Sequence, residues 1–124
     1  MKVLLLNVQK NYAEVREIED RLEDYYEAIG CRCIEIVERK IGRKWFDVIC
    51  DEEGTFVADP KISAIDNLGT PMFVGNLIIA HHDDEGNMTG LSNKEIEYVS
   101  NRIQTMCTRN HPEGYPMLTQ CEYR

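Results

Sequence analysis

The densest chemistry in this sequence is the run His81-His82-Asp83-Asp84, two imidazoles and two carboxylates following a long apolar stretch. Imidazole with carboxylate is a sensible ligand set for a divalent ion, so these four residues are the candidate metal site. Adjacent side chains of a strand point to opposite faces, however, and His81 and His82 can share an ion only across a bulge. A polar strand end is the competing reading. The loop Asp83-Asp84-Glu85-Gly86-Asn87 has calcium-loop composition but lacks the alternating oxygen ligands and distal Glu of an EF-hand. A solvated hairpin turn accounts for Gly86.

Other chemistries find less support. Cys31-Arg32-Cys33 is a possible zinc or redox half-site, to which Cys50, Cys107, Cys121 and His111 could add ligands only if the fold gathers them. Ser63, Ser92 and Ser100 have no nucleophile context, and no glycine-rich phosphate loop is present. An enzyme of a familiar scheme is therefore not expected, and no cofactor is implied. Tyr25, Tyr26, Trp45, Phe46 and Phe73 fit a core better than a ligand pocket.

Charge sorts the partners. Twenty-two acidic against fourteen basic residues give a net charge of −8, which repels phosphate backbones and anionic lipid, so neither nucleic acid nor membrane is an expected partner. Glu14, Glu17, Glu19, Asp20, Glu23, Asp24 and Glu27 place seven carboxylates within fourteen residues. Such an array could imitate nucleic-acid phosphates toward a protein partner, with Glu19, Glu23, Asp24 and Glu27 as its contact residues. The local exception to the acidic field is Arg39-Lys40-Ile41-Gly42-Arg43-Lys44, read as a solvated turn before a phosphate site.

The elements that must position these residues are outlined by periodicity. At 124 residues the chain is long enough for one self-sufficient domain. Val3 to Val8 reads as a strand buried on both faces and is too short for a membrane span, which needs roughly 20 residues. Ile18, Leu22, Tyr25 or Tyr26, and Ile29 predict a helix over 17–29, closed by Gly30. Residues 33–41 alternate as a strand, and 45–50 and 55–58 predict a hairpin around Gly54. A short helix or irregular crossover is expected over 60–71, and a single central strand with a bulge near Gly75 over 72–80. A second hairpin turns at Gly86. Ser92-Asn93-Lys94-Glu95 is a capping box opening an amphipathic helix through Ile96, Val99, Ile103 and Met106. The expected fold class is α+β, two-layer, with a mixed or mostly antiparallel sheet and both helices packed on one face. Residues 1–106 are the domain and 107–124 a C-terminal tail on its surface. Five cysteines, an odd count, with no secretory leader predict reduced thiols and a cytoplasmic location.

Several of these stretches together resemble a family catalogued as domain of unknown function 3846, found in bacteriophages and conjugative elements. They are the strand Lys2-Val3-Leu4-Leu5-Leu6, the charged helix ending at Gly30, Ile34-Glu35-Ile36-Val37, Cys50-Asp51-Glu52-Glu53-Gly54, Val74-Gly75-Asn76-Leu77-Ile78-Ile79, Asp83-Asp84-Glu85-Gly86 and Leu91-Ser92-Asn93-Lys94-Glu95-Ile96. The resemblance covers about residues 1–105 and implies a mobile-element accessory protein, with no activity to carry over. The first functional expectation is accordingly a non-enzymatic module that binds a host or element-encoded protein through its acidic surface. A binder of a small nucleotide-like ligand, as a monomer or homodimer, is the second, and a metal-dependent enzyme centred on His81–Asp84 the third.

Overall fold

A computed structural model describes residues 1–53 and 61–123 of the chain. The opening apolar run forms β1 (Lys2–Asn7), buried on both faces as its unbroken hydrophobicity requires. Val3 and Leu5 enter one hydrophobic cluster, and Leu4 and Leu6 another, because alternate side chains of a strand face opposite ways. The same sorting separates Ile49 from Phe46, Val48 and Cys50 in β4 (Lys44–Asp51). It likewise separates Ile78 and Ala80 from Leu77 and Ile79 in β7 (Leu77–His82).

These three strands form the middle of a seven-stranded sheet. Its other members are β2 (Tyr12–Glu17), β3 (Ile34–Ile41), β8 (Met88–Thr89) and β11 (Cys121–Glu122). The order is β11-β3-β4-β7-β1-β2, with β8 paired to β7. A second sheet contains β5 (Ile62–Ile65), β6 (Pro71–Val74), β9 (Ile103–Met106) and β10 (Tyr115–Leu118), in the order β6-β5-β10-β9. Within the two sheets β10 with β5 is the parallel pair, and the other pairs of described strands are antiparallel.

Helix α1 (Leu22–Ile29) places Tyr25, Ala28 and Ile29 on the Val3–Leu5 cluster, and Gly30 ends it in the left-handed conformation at φ 81°. Helix α2 (Asn93–Ser100) starts with the expected capping box. Ser92 accepts the Glu95 amide, Glu95 accepts the Ser92 amide, and Val99 is buried in the opposite cluster. The expected α+β class, with a mostly antiparallel sheet and two helices, is therefore observed. The helices, however, lie on opposite faces of the main sheet, and the second sheet contributes Ala64 and Leu118 to the cluster on the α2 side.

Five local expectations are corrected. Residues 12–17 are an edge strand, and the predicted helix over 17–29 starts only at Leu22. Ile18 instead donates its amide to the Met1 carbonyl, 3.0 Å away, and packs beside β1. The crossover over 60–71 contains β5, where Ser63 and Ala64 are fully buried, followed by a tight turn in which Asp66 Oδ1 accepts the amides of Leu68 and Thr70. The single strand over 72–80 is two strands in different sheets, because Gly75, at φ 87°, and Asn76 break the run. Ile103 and Met106 belong to β9 and not to α2, which ends at Ser100, since pairing with β10 satisfies their backbone better than another helical turn. Lastly, the segment after Met106 is not a surface tail throughout: residues 107–110, 112 and 113 are exposed, but Tyr115, Met117, Leu118 and Cys121 are buried, and β10 occupies the interior of the second sheet. The Asp83–Asn87 hairpin is observed between β7 and β8, with Gly86 at φ 86°. The return strand predicted over 55–58 lies outside the described residues, and β4 pairs with β3 and β7. Among the described residues no helix is long and apolar enough to cross a membrane.

Candidate functional site

The end of β7 carries the two histidines to opposite faces of the sheet. His81 points to the α2 side, stacking on Phe46 with ring centroids 4.8 Å apart and bonding through Nε2 to Glu95. His82 points to the α1 side, where Nδ1 meets Asp47 Oδ2 at 2.7 Å. Asp83 is occupied by its own turn, its Oδ1 accepting the amides of Glu85 and Asn87 at 2.9 Å each. Those amides, the Asn87 bond first, hold its carboxyl below the usual carboxylate range. Asp84 is exposed. The four residues singled out in sequence therefore do not converge, for the reason strand geometry gives.

The fold assembles a different set around His82. Glu38 on β3 and Asp47 on β4 are direct cross-strand partners, and Asp47 is in turn paired with Ala80 on β7, two residues before His82. Residues opposite one another, and those offset by two, share a face of the sheet. One oxygen from each of Glu38 and Asp47 and one nitrogen of His82 accordingly lie within 4.8 Å of one another. Among the described residues this is the group of three or more metal-ligating side chains that the fold brings together. Asp47 is buried, while Glu38 and His82 are exposed. The hydrogen bond that His82 donates to Asp47, with that carboxylate's charge and those of Glu38 and Asp83, raises the His82 imidazole above its ordinary value despite some desolvation.

A tetrahedral ion with bonds of 2.0–2.2 Å draws its ligand atoms to roughly 3.4 Å apart. The present spacing, within 4.8 Å, lies about an ångström above that value, and Glu38 and His82 are exposed, so the donor set fits a divalent ion. Glu38 and Asp47 were not singled out in the sequence because neither is near the histidines along the chain. The available signal was a charged residue, Asp47, inside the apolar run from Phe46 to Cys50.

The remaining candidates are scattered. Glu19 and Asp24 flank the Arg21 guanidinium at 3.2 and 3.0 Å, and Asp24 Oδ2 accepts the Glu19 amide, the main cause of its lowered pKa. Glu14 pairs with Arg16, Glu17 with the N-terminal amine, and Asp20 accepts the Tyr25 hydroxyl. Glu14 and Glu17 lie on β2 and not on α1, so the seven-carboxylate array is broken up, with Glu23 and Glu27 exposed on the helix. The five cysteines are free thiols, and among the described residues they join no metal-ligand cluster. Tyr25 and Phe46 are core, whereas Trp45 is substantially exposed.

Fold and site together define a mostly antiparallel α+β domain with a mixed histidine and carboxylate cluster at one end of its main sheet. No curated protein and no solved structure matches the chain. The family whose sequence profile matches is described as domain of unknown function 3846 (DUF3846), over residues 1–104, and the chain belongs to that family. The match stops within β9, so β10 and β11 are built from residues beyond it.

Proposed function

We propose that this domain binds a divalent first-row metal ion, of the zinc or manganese kind, through Glu38, Asp47 and His82. The observation that carries this reading is the Asp47 carboxylate, which is 5% exposed, directly across the ladder from a second carboxylate, and hydrogen-bonded to the His82 side chain. A buried carboxylate beside a like charge is unfavourable, and a bound cation removes the conflict. One imidazole and two carboxylates suit such ions better than thiolate-selecting ones. Three protein ligands, two of them exposed, leave coordination positions for water or a small substrate.

The test is titration of the intact protein with Zn²⁺ or Mn²⁺, read by calorimetry and native mass spectrometry. A single ion per chain is expected, with affinity lowered at least about 10–100-fold in Asp47→Asn and His82→Gln and unchanged in Glu95→Gln. Absence of saturable binding in the wild type, or equal affinity in Asp47→Asn, refutes the proposal.

A second reading retains a protein partner. It is favoured by Leu22, 55% exposed at the start of α1 and followed by exposed Glu23 and Glu27, an apolar contact among acidic ones. The partner is then a host or element-encoded protein in the cytoplasm of a cell carrying a phage or conjugative element. Free thiols at buried Cys50 and Cys121 are consistent with that reducing setting. Glu23→Lys with Glu27→Lys is expected to leave the thermal midpoint unchanged and abolish co-purification of a specific partner. Partner capture that survives the double reversal excludes this surface.

A further inference from the structure

The basic run that interrupts the acidic sequence is not a plain solvated turn. The turn between β3 and β4 packs against the C-terminal end of α2, and the two line an open surface cavity of about 600 Å³. Its lining includes Arg43, Lys44 and Arg102 with the amide side chains of Asn67 and Gln120, and no carboxylate among the described residues. None of the three cations forms an ion pair with an acidic residue among the described residues, in a protein whose net charge is −8.

Tyr98 organises these groups. Its hydroxyl accepts the Arg43 amide at 2.6 Å, and the Arg102 guanidinium carbon lies 3.6 Å from its ring centroid. Lys44 Nζ lies 4.9 Å from the same centroid. Arg102 also donates Nη1–H to the Tyr98 carbonyl at 2.8 Å, which fixes its plane, while its Nε is buried with no hydrogen-bond partner. That buried, unpaired donor carries a desolvation penalty, and it is the part-exposed remainder of the Arg102 side chain that lines the cavity and can meet an acceptor from a ligand.

Close packing at Gly42 holds the site together. A Cβ there would stand 2.3 Å from Tyr98 Oη and 2.5 Å from Arg102 Nε, and the backbone is left-handed at φ 63°. A glycine thus lets the turn meet the tyrosine and arginine directly.

We infer that this cavity is an anion site for a small phosphomonoester, with Arg102 and Lys44 as charge donors and the Arg43 backbone held in place by Tyr98. Arginine and lysine together are the usual means of holding a phosphate, the one by its fork of donors and the other as a point charge. The volume falls within the range of small-molecule pockets. The acidic remainder of the molecule excludes a long polyanion, whose further phosphates would meet carboxylates. The site shares no residue with the Glu38–Asp47–His82 cluster, so each stands or falls separately.

The test follows backbone amides and the arginine Nε–H signals by nitrogen-15 NMR during titration with inorganic phosphate, adenosine 5′-monophosphate, adenosine, or acetate at matched ionic strength. Saturable shifts at Gly42, Arg43 and Arg102 Nε with the two phosphates, and not with adenosine or acetate, are expected. Lys44→Gln, an exposed substitution that leaves the fold intact, should weaken them at least about tenfold, and Arg102→Gln should abolish them. Tighter binding of the monophosphate than of phosphate, with shifts reaching the Asn67 and Gln120 side-chain amides, assigns the site to an organic phosphomonoester. Equal binding assigns it to the free phosphate ion. Absence of saturation in the millimolar range, an equal response to acetate, or shifts indifferent to Lys44→Gln overturns the inference even if Arg102→Gln fails to fold.

Discussion

Replacing Asn76 by Ala tests how the two sheets and α1 are joined. Asn76 is nearly fully buried where the chain passes from β6 to β7. Its Oδ1 accepts the Val8 amide at 2.9 Å, and its Nδ2 donates to the Ile29 carbonyl at 2.9 Å. One side chain therefore ties the end of β1 to the end of α1. Val8 is fully buried and Ile29 nearly so, and Asn76→Ala leaves a donor and an acceptor inside without partners. Each stranded group costs about 1–3 kcal/mol, giving a loss of about 4 kcal/mol for the pair. With an unfolding entropy of about 2.1 cal/mol/K per residue, a chain of this length loses about 15 °C in Tm for that amount. Urea unfolding followed by circular dichroism, at constant m-value, reads the change directly. Asn76→Asp is the companion variant. It keeps an acceptor for Val8 but sets a carboxylate against the Ile29 carbonyl, so its native-state pKa is raised. Its stability should recover as pH falls through that raised value, when the carboxyl gains a proton to donate. A loss below about 1 kcal/mol in Asn76→Ala, or a pH-independent Asn76→Asp, would refute the reasoning.

Three further outcomes follow from burial and electrostatics. Leu118→Ala, inside the second sheet and fully buried, should cost about 2–5 kcal/mol by chemical denaturation; a loss near zero would return β10 to the surface. Burial pushes the thiols of Cys50 and Cys121 up to about 11 and about 12. Exposed Cys33 and Cys107 should therefore react with a thiol reagent at mildly alkaline pH while Cys50 and Cys121 stay protected until unfolding, as a time course of labelling by mass spectrometry will record. Burial raises the Glu95 carboxyl, but the Ser92 amide and the His81 ring outweigh it and hold the pKa below its ordinary 4.5. A lowered native pKa contributes stability above the ordinary value that is lost as pH falls through the native one. The stability deficit of Glu95→Gln should thus be present at neutral pH and vanish in acid, and a deficit that persists there would contradict this account.

How far the sequence carries depends on the range of each interaction. The buried run Val3–Leu6, the Gly30 cap, the Ser92–Glu95 capping box and the Gly86 hairpin are local, and the structure contains all four because propensity, periodicity and turn chemistry act within a few residues. The failures occur where distant partners decide. Ile103 has the spacing of a helical residue but pairs with Leu118. Phe73 and Ile78 look like one strand yet belong to different sheets, divided at Gly75 and Asn76. The candidate sites fail for the same reason. Strand alternation argues from sequence that His81 and His82 must part, but only the registers of β3, β4 and β7 could bring Glu38 and Asp47 to His82. Likewise the sequence displays Arg43 and Lys44 as a basic turn, and the packing of α2 on that turn supplies Tyr98 and Arg102. The sequence by itself determined the class, the local elements and the charge of this protein. Tertiary structure decided which charges meet, because a ladder register or a helix contact joins residues whose separation along the chain carries no periodic trace.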